Sequence, residues 1–573
     1  ALDVSVSRVS STLCTTQLAI AEKAILSGNA MIACQQERHE FEELPDDMGV
    51  DQPVFVDIRD RAGWSEDKRS PTGKMAALIA DAALAIPATK TVDVESSGTC
   101  LIIGAADIAF SAAQHLKDAL AVTVLLSPDA DPGTGTERGY DVVYGKLASA
   151  TGALGNFNIK IDAFQERIPG GRGVPAFTEP KDGAASNCDI VLDLSGGNPL
   201  FSAHEKREGY LRADPKSAEA KLSAILEAIQ LKGTFEKPLY VRLDEPLCAH
   251  SRAQKTGCTR CLDLCPTGAI SPAGEHVAVD PMVCAGCGMC SAVCPSGAIS
   301  YDAPPVSAIF KRMENLATTF RKLSKDAPRL LIHDETFGAE LIRLSARYGK
   351  GLPVDVIPMA VPALAVFGHA EMLAALGSGF ASVCVLVSPT TEQEGLPPQV
   401  EIANAISGRE AISVFEPSEL DALDGFLWDG ANGVSVAQPV LPLGTRRQVT
   451  RLSAKALNEP DAVIGLPTGA PYGAVDLNTE ACTLCLSCVS LCPSGALTEN
   501  PDLPQLRFQE DACLQCGICV NICPEKALTL EPRLNLADEA LSQVVLHEEE
   551  PFACISCGAL FGVRSTVMRI TEQ

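Results

Sequence analysis

The sequence predicts a multidomain α/β protein, and two observations carry that prediction. Strand–helix–strand alternation recurs along the chain and implies parallel sheets. Two dense cysteine blocks, Cys248–Cys294 and Cys482–Cys523, interrupt that alternation and repeat one another. CAGCGMCSAVCPSGAI (284–299) reads directly against CTLCLSCVSLCPSGAL (482–497).

The elements follow in order. Thr15–Leu26 reads as a helix, Ala30–Cys34 and Pro53–Ile58 as strands, and the Ala-rich Lys74–Ile86 as a helix. Strand Thr99–Ile103, helix Ala105–Leu120 and strand Val122–Leu126 repeat the alternation. Asp189–Leu194 is a further strand, ending at the turn Ser195-Gly196-Gly197. After the first cysteine block, Arg329–His333, Pro353–Pro358 and Ala381–Val387 read as strands, with helices Phe337–Tyr348 and Ala370–Leu376 between them. The expected domains are 1–95 (α/β), 96–236 (α/β), 237–305 (first cysteine module), 306–450 (α/β), 451–535 (second cysteine module) and 536–573 (tail).

Length and composition bound the function. The 573 residues suggest three to five compact units, and 46% apolar content is ordinary for globular domains. No apolar run approaches the roughly 18–20 residues of a spanning helix. The sequence opens Ala1-Leu2-Asp3, without Met or a secretory signal pattern, and the expected compartment is the cytoplasm. A net charge of −26 would be repelled by a phosphate backbone, so nucleic acid is not expected as a partner. A protein with a basic patch fits that charge better, although acidity also serves solubility. The 23 cysteines are not a disulfide framework in a reducing compartment, where clustered thiols bind metal.

The second block is the more regular. Cys482, Cys485, Cys488 and Cys492-Pro493 form one C-x-x-C-x-x-C-x-x-x-C-P run, and Cys513, Cys516, Cys519 and Cys523-Pro524 form another. This is the spacing of bacterial two-cluster ferredoxins, in which the fourth cysteine ligates the other cluster. Three thiolates at three-residue spacing let one loop wrap a cubane, and loop N–H groups offset the charge on its sulfides. The expected ligand sets are Cys482, Cys485, Cys488 and Cys523 for one [4Fe–4S] cluster, and Cys513, Cys516, Cys519 and Cys492 for its neighbour. Short strands Ala474–Asp476 and Gln505–Phe508, with return strands Ala496–Thr498 and Ala527–Leu530, predict two β-loop-α-β halves. Zinc also accepts C-x-x-C pairs, but it favours two separate knuckles over four thiols in one run.

The first block departs at one position. Cys284, Cys287, Cys290 and Cys294-Pro295 are regular. The preceding half has Cys258, Cys261 and Cys265-Pro266, with Lys255 where its first cysteine belongs. A loop over 249–257 allows Cys248 to fill the vacancy. The expected sets are Cys248, Cys258, Cys261 and Cys294 for one [4Fe–4S] cluster, and Cys284, Cys287, Cys290 and Cys265 for the other. A three-iron cluster, or ligation by His250, are the alternatives. Cys554 and Cys557 resemble half a zinc ribbon whose remaining ligands would come from further chain or another protein. Cys14, Cys34, Cys100, Cys188 and Cys384 lie among apolar residues and read as inert core thiols.

Three stretches carry a family resemblance. MIACQQERHEFEEL, VFVDIRDRAGWSEDKRSPTGKMAALIADAAL and CLIIGAADIAFSAAQHL (31–44, 54–84 and 100–116) resemble the start of the flavin-binding polypeptides of heterodisulfide reductases, which carry inserted ferredoxin modules. PVDVIPMAVPALAVFGHAEMLAALGSGFASVCVL (353–386) is similar to the small delta subunit of hydrogenase–heterodisulfide reductase complexes. Through CAHSRAQKTGCTRCLDLCPTGAI, CTLCLSCVSLCPSGAL and EEEPFACISCGALFGVRST, nearly the full length resembles the multi-cluster ferredoxins found with bacterial molybdenum- or tungsten-dependent formate dehydrogenases. The resemblance implies Rossmann-like parallel-sheet units and a redox partner protein of formate dehydrogenase type.

Two departures qualify it. A dinucleotide site needs G-x-G-x-x-G after its strand. The turn here is Gly104-Ala105-Ala106-Asp107-Ile108-Ala109, and the next strand ends Leu125-Leu126-Ser127 without an acid, which argues against FAD. The delta-like unit holds only Cys384, so a cluster there is not expected. The expected function is single-electron relay through four clusters, with no catalytic residues of its own. The alternatives are a flavin-containing oxidoreductase related to heterodisulfide reductase, and a docking or assembly factor whose clusters are structural.

Overall fold

The computed structural model describes residues 7, 9–130, 139–168, 176–389, 391, 394–417, 419–429 and 433–572. It is mixed α/β, with two large sheets that contain parallel strands, a small parallel pair of Met31–Ile32 with Val54–Phe55, and two small antiparallel modules between and after the large sheets.

The first large sheet has seven strands in the order Tyr210–Arg212, Ile190–Leu194, Thr99–Gly104, Ala121–Leu126, Asp141–Ala153, Asn156–Glu166, Ala184–Cys188. The first five are parallel; the last two close the sheet antiparallel. Ile190–Leu194 is buried along its whole length and is apolar except for Asp193, whose carboxylate accepts from the Tyr210 hydroxyl at 2.6 Å. Helices Ala106–Leu116 and Ala218–Gln230 cover one face, packing Ala113, Leu116 and Ala228 against Ile102, Val124 and Leu192. Phe157, Ile159 and Ile161 of the long hairpin meet Leu101, Leu125 and Val191 on the other face. Register shifts on either side of residues 145 and 148 bend the hairpin toward that face. Gly145 is required at this bend, because a Cβ there would overlap the Ile161 side chain. Sequence patterning announces neither this hairpin nor strand Thr91–Ser96, which pairs antiparallel with Gly233–Pro238.

The second sheet is fully parallel, in the order Val356–Ala360, Arg329–His333, Ser382–Leu386, Ile412–Phe415. Its central helix, His369–Ser378, is buried at all ten positions, so it shows no polar face. Val306–Leu323 has the opposite pattern: Ile309, Phe310, Met313, Leu316 and Phe320 form a helical stripe facing the core. Residues 54–82 pack into the same core. Ala77 and Leu78 of helix Thr72–Ala82 join Phe320, and Arg312 pairs with Asp81 at 2.8 Å. Lys74 is fully buried there, its Nζ donating to the carbonyls of Leu352 at 3.2 Å and Pro353 at 2.8 Å.

The two modules share one topology. In the first, Val241–Leu243 pairs antiparallel with Ile299–Tyr301, and Ile270–Ala273 with His276–Val279. In the second, Gly473–Leu477 pairs with Leu528–Asn535, and Leu497–Glu499 with Gln505–Phe508. First strand with last, and second with third, is the pairing of two β-loop-α-β halves. Among the described residues, no helix is long and apolar enough to cross a membrane.

Candidate metal centres

Each module sets two short helices side by side between its strand pairs: Arg260–Asp263 with Met289–Val293, and Ser487–Ser490 with Ile518–Ile522. The cysteines precede, occupy and follow these helices. Three small cavities result. One is lined by Cys482, Cys485, Cys488 and Cys523. A second is lined by Cys492, Cys513, Cys516 and Cys519. The third is lined by Cys248, Cys258, Cys261 and Cys294. The remaining four, Cys265, Cys284, Cys287 and Cys290, are close enough that the charges of the other three bear on Cys290.

Cys248 is brought in by a hairpin. Ser251–Arg252 pairs with Lys255–Thr256 around Ala253 and Gln254, both in the left-handed region at φ 48° and 62°. Gly257 N–H donates to the His250 carbonyl at 2.7 Å, and Cys258 N–H to the Ala249 carbonyl at 3.0 Å. Cys248 thereby repeats the local geometry of Cys513. Each caps a one-turn helix, Glu245–Leu247 or Glu510–Ala512, with φ/ψ of −72°/129° and −71°/128°. It is a displaced first cysteine of the run, with a hairpin inserted after it. His250 is buried, but its Nδ1 lies 3.1 Å from the Cys258 carbonyl oxygen, and its side chain does not line the cavity.

The surroundings fit a caged cluster better than a single ion. Tetrahedral zinc would draw four sulfurs to about 2.3 Å from one point. The cysteine quartets instead line cavities with apolar walls, four thiols to each of three. Burial first, and then the charge of neighbouring thiols, push Cys261 and Cys488 up to about 12 and Cys516 up to about 11. Four thiolates in one buried pocket therefore need a polycationic core to offset them. Donors to sulfur are in place: Ile299 N–H to Cys294 at 3.5 Å, Ala527 N–H to Cys523 at 3.3 Å and Gln515 Nε2 to Cys513 at 3.4 Å. The hydroxyl two residues after Cys265, Cys294 and Cys492 lies 3.7 Å from its sulfur each time. After Cys523 that position is Glu525, which pairs with Arg569 at 2.8 Å.

Several side chains at these sites carry no motif. Arg447 donates from Nη2 to the carbonyl of Cys513 at 2.9 Å and stacks over Tyr472, 4.6 Å from the ring centroid. Arg446 forms a two-pronged pair with buried Glu371, at 2.6 and 2.8 Å, and also donates to the carbonyls of Ser291 and Ala292. Arg207 Nη2 donates to the Thr267 carbonyl at 2.6 Å, beside Cys265. The one sequence signal near the first two is the capping box at Thr445, whose side chain accepts from Gln448 N–H and starts their helix.

The other cysteines differ. Burial pushes the thiols of Cys188 and Cys384 up to about 12, and that of Cys100 higher still. Cys554 and Cys557 sit in an exposed turn between strands Pro551–Ala553 and Leu560–Val563. Backbone N–H groups of Ser556 and Cys557 lower the Cys554 thiol, and Gly558 N–H donates to its carbonyl at 2.8 Å. At the end of strand Thr99–Gly104, a Cβ on Gly104 would lie 3.1 Å from the Leu194 carbonyl oxygen. The helix that follows presents Asp107 in its first turn, a charge that opposes a phosphate.

Residues 256–298 and 481–528 each match the family described as the 4Fe-4S dicluster domain. No curated protein matches the chain. The matched segments contain fifteen of the sixteen cysteines of the two blocks and lack only Cys248, which lies before the first of them. With two ferredoxin-type [4Fe–4S] domains, the chain is built for iron–sulfur electron transfer.

Proposed function

We propose that the chain relays single electrons through four [4Fe–4S] clusters, to or from a partner enzyme of formate dehydrogenase type. The observation that carries this reading is that three small cavities are each lined by four thiols, in the combinations expected from the swap of fourth cysteines. Cys248, Cys258, Cys261 and Cys294 would hold one cluster, and Cys265, Cys284, Cys287 and Cys290 the second. Cys482, Cys485, Cys488 and Cys523 would hold the third, and Cys492, Cys513, Cys516 and Cys519 the fourth. A bound cubane accepts or releases one electron at a time, at a potential set by N–H···S bonds, burial and nearby charge. The chain's own part is to bind, insulate and tune. Apolar residues such as Val277, Ile299, Leu506 and Phe508 wall the cavities from water. The backbone and side-chain donors to sulfur favour the reduced, more negative state. The partner rests on the full-length resemblance to formate dehydrogenase-associated ferredoxins, and Cys554 with Cys557 would add a zinc site.

The test is iron, zinc and flavin content on anaerobically purified protein, with EPR after dithionite reduction. About 16 iron per chain with no flavin is expected for four cubanes. About 8 iron would remove one module from the relay, and a full flavin equivalent would make the chain a flavoenzyme. Reduction of the purified chain by formate and a formate dehydrogenase, at a rate that saturates with this chain, checks the partner.

A further inference from the structure

Residues 299–480 separate the two dicluster domains in sequence, yet the domains touch. Asn521 Nδ2 donates to the Thr256 carbonyl at 3.0 Å. A Cβ on Gly257 would overlap the Ile518 side chain. Arg260 Nη2 reaches the Ala470 carbonyl at 3.4 Å. Arg447 spans the seam: Nη1 lies 3.5 Å from the Pro295 carbonyl oxygen and 2.7 Å from that of Pro471, while Nη2 holds the carbonyls of Asp511 at 2.7 Å and Cys513 at 2.9 Å.

These contacts fall beside particular cysteines. Thr256 and Gly257 precede Cys258, and Pro295 follows Cys294; both cysteines belong to the Cys248 quartet. Ile518 and Asn521 flank Cys519, which with Cys513 belongs to the Cys492 quartet. Inside each module the paired helices, Arg260–Asp263 with Met289–Val293 and Ser487–Ser490 with Ile518–Ile522, hold the two quartets side by side. Each quartet therefore has its neighbour on a known side.

We infer that the sixteen thiolates form one line of four quartets, joined at the Cys248 and Cys492 quartets, with Arg447 as the positioning residue of the junction. The inference rests on the four-cluster reading and adds its order. The ends of the line are the Cys265 quartet, whose Cys287 lines a cleft with Lys237 and Asp334, and the Cys482 quartet, whose Cys485 is exposed. A crossing at the junction moves one electron: one inner site is oxidised by one as the other is reduced by one, and no bond forms or breaks. A low-potential one-electron donor at either end supplies it.

The test uses the full chain carrying Cys287→Ala and Cys485→Ala, which strip each outer quartet of one ligand and leave between about 8 and about 14 iron. After dithionite reduction, pulsed EPR is expected to show two spins that split and relax each other. Two independent, slowly relaxing signals at full remaining iron would overturn the line while leaving four clusters standing. Iron well below about 8 in a folded chain would sink the four-cluster reading, and the order with it. Independently, Arg447→Gln in the otherwise wild-type chain is expected to weaken the coupling and shift the inner midpoint potentials negative at unchanged iron. Arg447→Lys, which keeps the charge, should restore the potentials. Unchanged coupling and potentials in Arg447→Gln would refute the positioning role.

Discussion

Cys248→Ala tests the least regular ligand in the molecule. The side chain is 7% exposed and lines the cavity with Cys258, Cys261 and Cys294. Removing it leaves three thiolates around a site built for four. A cubane with three protein ligands loses either the unsupported iron or the whole cluster, so iron falls from about 16 per chain to between about 15 and about 12. Retention of the other three clusters is expected, because Cys248 lines no other cysteine-lined cavity. His250→Ala is the matched control: its ring faces the Cys258 carbonyl, and its loss should leave iron at about 16. The assay is iron per chain with EPR of the oxidised sample, where a three-iron centre gives a signal that an intact cubane does not. Full iron and an unchanged spectrum in Cys248→Ala, or the loss appearing in His250→Ala instead, would refute the ligand assignment.

Other consequences are equally direct. Burial lowers Lys74 from 10.5 to about 7 in the folded chain. The unfolded chain binds the extra proton between those values, so stability rises as pH climbs from about 7 to about 10, by up to about 5 kcal/mol. Denaturation midpoints should show this slope in wild type and lose it in Lys74→Met. Glu371→Ala strands the Arg446 guanidinium, only 11% exposed, and should cost about 3–5 kcal/mol in the same assay. Glu549, whose charge bears on Cys482, should hold down the potential of that end of the line. Glu549→Gln is expected to shift one midpoint positive in an EPR redox titration and leave the other three in place. Cys384→Ala should leave iron unchanged, because its thiol is a packed strand residue with a raised pKa.

How much of this was legible depended on how local the determinant was. The cluster runs were readable because spacing alone places three thiolates on one loop. The parallel strands were readable because full burial writes an apolar run, as at 383–386. The hairpin that delivers Cys248 had no Gly or Asn to announce it: Ala253 and Gln254 take left-handed conformations that sequence disfavours. The long hairpin over 141–166 was missed because Gly, Ser and Thr dilute its first strand. Arg447 was illegible because its partners, Pro295 and Cys513, are supplied by packing across distant parts of the chain.

The exchange of fourth cysteines also governs how the protein can be made. In the proposed assignment, the site opened by Cys248 closes only when Cys294 has been synthesised, and the site opened by Cys482 waits for Cys523. At about 5–20 residues per second, a nascent half-module lingers for seconds with three thiols and no fourth. An iron–sulfur donor meeting the ribosome-bound chain would thus deliver to completed pairs of sites rather than to single ones. A truncation that removes either half of a module should therefore leave its surviving run one ligand short, and hold the iron of that module at about 3 or fewer.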